Sequence, residues 1–208
     1  MTRSTALAAV LAPASSSASA SAHDAGTRLR ARGRATGALV VTGFGTLWAG
    51  AGLLGTGAPA WSWVVLSVLS TALAATAIRI LRTTPPVDAA ALPAELAARR
   101  RRGDRIFRWA VAGEGVGILL AVNVVSNLGH PQWQPAAAML VVGLHFLPLA
   151  SGFGSRSHLA TGVALSAWAL AYPGLLAAGA MAPAGWLVAG AILMASALVS
   201  LRSVARAA

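Results

Sequence analysis

The sequence lacks cysteine and lysine altogether, and among its 208 residues only five are acidic and only one is a tyrosine. Without cysteine there is no disulfide, no thiol nucleophile and no thiolate metal site. Charged residues make up 10% of the chain, against about 25% in ordinary soluble domains. That is too little polar surface to clothe a globule in water, so lipid must be the solvent for most of the chain. Since lysine is absent, all sixteen basic residues are arginine. An alanine, arginine and glycine bias of this kind fits a high-GC bacterial gene.

What is present is apolar: 57% of the residues are hydrophobic. Six apolar stretches can be read at about 36–57, 61–81, 107–128, 135–150, 158–179 and 183–202, each near the ~20 residues that cross a bilayer as a helix. The connections Thr56–Ala60, Gly129–Gln134 and Gly179–Pro183 are short and hold no Arg, Asp or Glu. Every arginine lies on the other side. Arg3, Arg28, Arg30, Arg32 and Arg34 precede the first span. Arg79, Arg82, Arg99–Arg102, Arg105 and Arg108 flank or fill the connection 83–106, Arg156 precedes the fifth span, and Arg202 and Arg206 end the sixth. The formal charge of +11 therefore reads as a positive-inside signal and not as a nucleic-acid surface. The expected fold is an all-α polytopic bundle of six transmembrane helices, N-in and C-in, in a bacterial cytoplasmic membrane. Trp61, Trp63, Trp133 and Trp186 fall at the outer interface and Trp109 at the inner one, as an aromatic belt requires. Trp48 and Trp168 sit mid-span, where packing or a lipid-facing position is expected.

Residues 1–34 loosely resemble a secretory signal, with a small-residue stretch at Ala18-Ser19-Ala20. Cleavage there would carry Arg28, Arg30, Arg32 and Arg34 outside with the new terminus, against the charge rule for the first span. The stretch is therefore read as a disordered, basic Ser/Ala-rich cytoplasmic tail, with residues 35–208 as the transmembrane domain. Within the connection 83–106, Pro93 and Glu95 mark a helix start leading toward span three. Arg99, Arg100, Arg101 and Arg102 are placed to bind anionic lipid headgroups at the cytoplasmic face, besides anchoring the topology. The lipid bilayer is the expected partner, self-association is open, and nucleic acid is not expected.

Small residues recur every four positions at Gly113, Gly117 and Ala121, at Ala51 and Gly55, and at Gly185 and Ala189. That spacing lets helix backbones approach in lipid. Pro148 and the run Tyr172-Pro173-Gly174 interrupt spans four and five. No internal repeat of the inverted-transporter kind is visible.

Two ionisable side chains fall well inside the spans, Glu114 and His145. Glu114 is six residues past Arg108, about 9 Å deep at ~1.5 Å per residue. Counted from the turn at His130, Glu114 lies sixteen residues back and His145 fifteen residues on. The two are therefore level on neighbouring helices, though sequence does not fix the rotation that would make them face. A carboxylate in hydrocarbon is neutralised or finds a partner. A Glu–His pair meets that need, either as a buried interhelical contact or as a proton relay. Asn123 and Asn127 lie one turn apart on span three, about half a turn round from Glu114. They are expected to bond across a helix interface or to line an outer rim with His130 and Gln132. No catalytic motif is found, and a metal site would need His158 to join Glu114 and His145. Neither a catalytic residue, a metal nor a cofactor is expected, and the chain is read as a non-enzyme. Two readings of activity stay open: a small-solute or proton-linked transporter or channel subunit, and a non-catalytic scaffold or regulator.

The stretch from Val141 to Ala150, VVGLHFLPLA, preceded by NVVSNLGHPQW from Asn123 to Trp133, resembles an uncharacterised family of small bacterial multi-pass membrane proteins. That family carries a Gly-Leu-His-Phe-x-Pro-Leu-Ala motif on a middle helix. The similarity extends over residues 107–170, about a third of the chain. It implies that His145 and Pro148 belong to a shared pattern, and it carries no activity. The segment Ser151-Gly-Phe-Gly-Ser-Arg156 departs from the basic, aromatic loop that follows the motif in the family.

Overall fold

In the computed structural model the backbone is described for residues 5–206 and the side chains for residues 21–206. The described residues form six α-helices and no strand: α1 Thr5–Thr56, α2 Ala60–Thr83, α3 Ala94–Asn127, α4 Gln134–Phe153, α5 Arg156–Ala177 and α6 Ala184–Ala205. A 3₁₀ turn, Pro131–Trp133, enters α4. Six helices are long and apolar enough to cross a membrane. Tight turns at Gly57, Gly129, Gly154 and Gly179 adopt positive φ, a conformation open to glycine without steric cost.

The helices pack in the spatial order α2, α1, α6, α5, α4, α3. The core therefore runs through the middle of this row, with Met139, Leu165, Tyr172, Ala189 and Leu193 almost wholly enclosed. Helices α2 and α3 lie at its two ends. Along all of α3, Gly103 alone is buried.

Two helices are longer than a span needs. At ~1.5 Å per residue the 34 residues of α3 measure about 51 Å, against ~30 Å of hydrocarbon. The excess is its arginine-rich N-terminal part. Helix α1 differs from expectation: residues 5–34, read as a disordered tail, continue the first span as one helix, while residues 1–4 of that reading lie outside the described residues. The physical reason lies in contacts that composition hides. The Arg32 guanidinium donates to the Leu81 and Thr84 carbonyls, at 2.8 and 2.6 Å, so that α1 caps the C-terminus of α2. Helix C-termini leave carbonyls unpaired, and a cation satisfies both them and the dipole. One turn earlier, Arg28 pairs with Asp24. Gly26 faces Leu96 at the start of α3.

Glycine sets the closest helix approaches. A Cβ on Gly190 of α6 would lie 2.6 Å from the Ala49 amide nitrogen and 2.7 Å from the Gly45 carbonyl of α1. On Gly143 of α4 it would lie 2.8 Å from the Ser166 amide nitrogen of α5. Of the expected small-residue pairs, Gly185 accepts the Tyr172 ring, Gly55 packs on Pro183 and Gly117 on Val141. Gly113 faces open space and Ala51 is exposed, its neighbour Gly52 taking the buried place against Leu187. Mid-span Trp48 packs edge-on against Trp186, with ring centroids 5.4 Å apart. Trp168 donates from Nε1 to the Gly185 carbonyl. Both are packing residues.

Candidate functional site: the polar contact between the third and fourth helices

Helices α3 and α4 form an antiparallel hairpin closed by three apolar contacts. Phe153 lies over Gly103, Ile106 over Gly152 and Val141 over Gly117. These contacts fix the rotation that sequence leaves open, and they turn Glu114 and His145 toward each other. His145 Nδ1 stands 3.6 Å from Glu114 Oε2, with 9% of the imidazole side chain and 19% of the glutamate side chain exposed.

The hydrogen bond itself goes elsewhere. His145 Nδ1 lies 3.0 Å from the Ala110 carbonyl oxygen. A carbonyl can only accept, so the proton is on Nδ1 and is donated to the α3 backbone. Ala110 and Glu114 are one helical turn apart, so α3 presents a carbonyl and a carboxyl group side by side to one ring nitrogen. The imidazole thus ties α4 to the main chain of α3, and the carboxyl group is its electrostatic neighbour rather than its hydrogen-bond acceptor.

His158 does not join the pair. It begins α5, where its Nδ1 and Ser155 Oγ are hydrogen-bonded at 2.6 Å, and Ser155 Oγ also accepts its amide as the helix cap. The Phe146 ring stands 5.7 Å from the His145 ring and 5.9 Å from that of His158. Among the described residues no three His, Asp or Glu side chains are grouped to hold a metal.

Of the two expectations for the asparagines, the bond across a helix interface is not seen. Asn123 donates from Nδ2 to the Leu119 carbonyl of its own helix at 2.7 Å, and Asn127 is exposed. Neither bonds across an interface: Asn123 reaches the carbonyl one turn back and needs no other helix, and Asn127 is exposed. The bond across the turn is made by Ser126 instead, whose Oγ accepts from Gln134 Nε2 at 2.7 Å. His130 stacks on Trp133, centroids 4.3 Å apart, with Gln132 Nε2 3.4 Å from its Nδ1. These residues brace the hairpin turn. Arg99, Arg100, Arg101 and Arg102 are all exposed. At about 100° per residue four successive arginines sweep most of the helix circumference, so they form a collar and not a one-sided pocket.

Sequence reasoning missed several hydroxyl contacts between helices. Thr46 Oγ1 and Ser70 Oγ are hydrogen-bonded at 2.7 Å between α1 and α2. Thr161 donates to Ser196 at 2.6 Å between α5 and α6, and Tyr172 donates its hydroxyl to the Ala182 carbonyl across the last hairpin. The usable signal was the presence of Ser and Thr within otherwise apolar spans. Two surface grooves of about 380 and 350 Å³ lie on α2 and along the α1–α2 seam, and neither is lined by Glu114 or His145.

The class these features define is an all-helical protein with six helices suited to crossing a membrane. Comparison with known proteins finds no matching family model, no similar curated protein and no similar solved structure.

Proposed function

We propose that this chain is a multi-pass protein of the bacterial cytoplasmic membrane, with both termini in the cytoplasm, acting as a non-catalytic scaffold or regulator. The observation that carries the reading is the bond from His145 Nδ1 to the Ala110 carbonyl beside Glu114. It uses the two intramembrane ionisable groups to hold α3, the least buried helix, against α4. The one-sided arginine distribution supports the orientation. The arginine collar on α3 suits an anionic headgroup layer, at about 1 kcal/mol per residue near the surface. The local resemblance around VVGLHFLPLA is in keeping with a bacterial multi-pass protein.

A second reading, a proton-linked transporter or channel subunit, is favoured by one observation. An acid and an imidazole within 3.6 Å can share or pass a proton.

Two measurements test these readings. A topology reporter fused after Arg206 is expected to report cytoplasm, and one inserted at Gln132 the outside. Both on one face would end the six-span orientation. Purified protein in vesicles carrying a pH gradient is expected to show no proton flux above protein-free vesicles. A flux abolished by Glu114→Gln would overturn the scaffold reading in favour of transport.

A further inference from the structure

The N-terminal part of α1 outruns the bundle. Gly45 faces Met194 and Gly52 faces Leu187, so α1 and α6 run antiparallel and in step. Ala205, the end of α6 and eleven residues beyond Met194, therefore falls level with about residue 34 of α1. Residues 21–34 continue past that level, held from the side. Arg32 donates to the Leu81 and Thr84 carbonyls at the end of α2. Gly26 is buried, with Leu96 of α3 against it. Leu92, in the connection between those two helices, is buried as well. Helices α2 and α3 stand at opposite ends of the row, and this one extension reaches both.

Charge opposes this closure. Residues 21–34 carry four arginines against Asp24, and residues 94–106 carry five against Glu95 and Asp104. Asp24 is taken by Arg28, and Asp104 lies 4.0 Å from Arg100. Arg30 and Arg34 on one helix, and Arg99, Arg101, Arg102 and Arg105 on the other, have no carboxylate partner among the described residues. Exposed like charges repel over the Debye length, about 8 Å at 0.15 M salt and about 30 Å at 0.01 M. The Arg32 hydrogen bonds are short and part-buried, and salt screens such contacts much less. We propose that residues 21–34 are a strap whose closure depends on ionic strength. When its arginines are screened, the strap ties α2 to α3 across the arginine-rich end of the bundle. When they are not, repulsion lifts it from Leu96 and frees the start of α3. The use of such a strap in regulation, with an open and a closed face at the start of α3, rests on the scaffold or regulator reading. The strap itself does not, because it is read as a distance in purified protein, where neither orientation nor flux enters.

The absence of native cysteine lets spin labels be placed at will. His23 and Ala98 are exposed, three residues before Gly26 and two after Leu96. Labels on His23→Cys and Ala98→Cys, in full-length protein in a zwitterionic micelle, report the gap by pulsed electron resonance. At high salt a single short distance is expected to dominate. As the salt falls to about 0.01 M, a second component is expected to grow several-fold. It is longer by on the order of 10 Å, since residues 21–34 form an arm of about 21 Å at ~1.5 Å per residue. Arg32→Ala removes the hold on α2, and the long component is then expected to dominate at both salts. A second label pair, Thr71→Cys with Val199→Cys on exposed faces of α2 and α6, reports whether the bundle stays intact and is expected not to respond. If Arg32→Ala disturbs that pair, Leu96→Ala, which removes only the contact with Gly26, takes its place with the same expected opening. A wild-type distance that ignores salt would overturn the proposal. So would a gap that widens as salt is added, or one that neither substitution changes.

Discussion

The α1–α6 seam and the α3–α4 hairpin solve the same problem by different means. In the seam the two backbones nearly touch: Gly45, Gly52 and Gly190 leave no room for a side chain, and the atoms that meet them are main chain or apolar side chain. In the hairpin α3 remains largely uncovered, and its hold on α4 combines three side-chain-over-glycine or glycine-over-side-chain contacts with one imidazole bonded to a carbonyl. Apolar burial gives no net drive between helices in lipid. Close packing and polar bonding are the two remaining sources of attraction, and here they are largely segregated to different helix pairs. The seam lies inside the row and is the most extensive contact between any two helices, whereas the hairpin closes one end, so the seam is the part that the fold can least spare.

That ordering predicts its largest effect at Gly190. A side chain there meets the Ala49 amide nitrogen and the Gly45 carbonyl, both main chain, so no rotamer change relieves the clash. Gly190→Leu is expected to destabilise the bundle by about 3 kcal/mol or more, measured by denaturant titration in mixed micelles. A variant within about 0.5 kcal/mol of wild type would show that the seam opens freely, and the contrast between the two regions would collapse.

The polar contact is expected to matter less, and unequally for its two members. His145→Leu removes the only partner that α4 offers the Ala110 carbonyl and leaves Glu114 without its neighbour. A loss of about 1–3 kcal/mol is expected. Glu114→Leu keeps the bond from His145 to Ala110 and is expected to cost less. The double variant is expected to recover part of the loss, with a coupling energy on the order of 0.5–3 kcal/mol. Strict additivity in the same titration would mean that the 3.6 Å approach carries no energy, and the reading of the pair as a unit would fail.

Much of this architecture is legible in the sequence because bilayer thickness and charge asymmetry act on each span separately. The limits of α2, α4, α5 and α6 fall within three residues of the apolar stretches read from sequence. The common depth of Glu114 and His145 follows from counting along one hairpin. What escapes is whatever depends on helix rotation or on partners distant in the chain. Of Ala51 and Gly55 only Gly55 meets the α6 side, at Pro183, and the seam otherwise uses Gly45, Ala49 and Gly52, because the face that α6 approaches leaves Ala51 exposed. Asn123 could be read as bonding across an interface or lining an outer rim, and its amide bonds its own helix instead of a neighbouring one. The stretch 21–34 looked like a tail because its hold, Arg32 on the end of α2, joins residues about fifty positions apart.

The smallest predicted effect separates spacing from packing most sharply. Gly113 and Gly117 are equivalent by sequence, four residues apart on α3, and either alone would mark a helix-contact face. In the structure a Cβ on Gly117 would come within 2.9 Å of Val141 Cγ1, whereas one on Gly113 meets nothing within 4 Å. Glycine inside a helix costs roughly 0.5–1 kcal/mol relative to alanine through backbone entropy. Gly113→Ala therefore gains that term with nothing to oppose it, and a stabilisation of about 0.5 kcal/mol is expected. Gly117→Ala gains the same term but must displace the Val141 side chain, whose stiff χ1 leaves it little room to yield, so its net effect is expected to be zero or destabilising. Equal stabilisation by both variants would mean that α3 does not rest on α4 at Gly117, and the rotation that brings Glu114 to His145 would lose its apolar support.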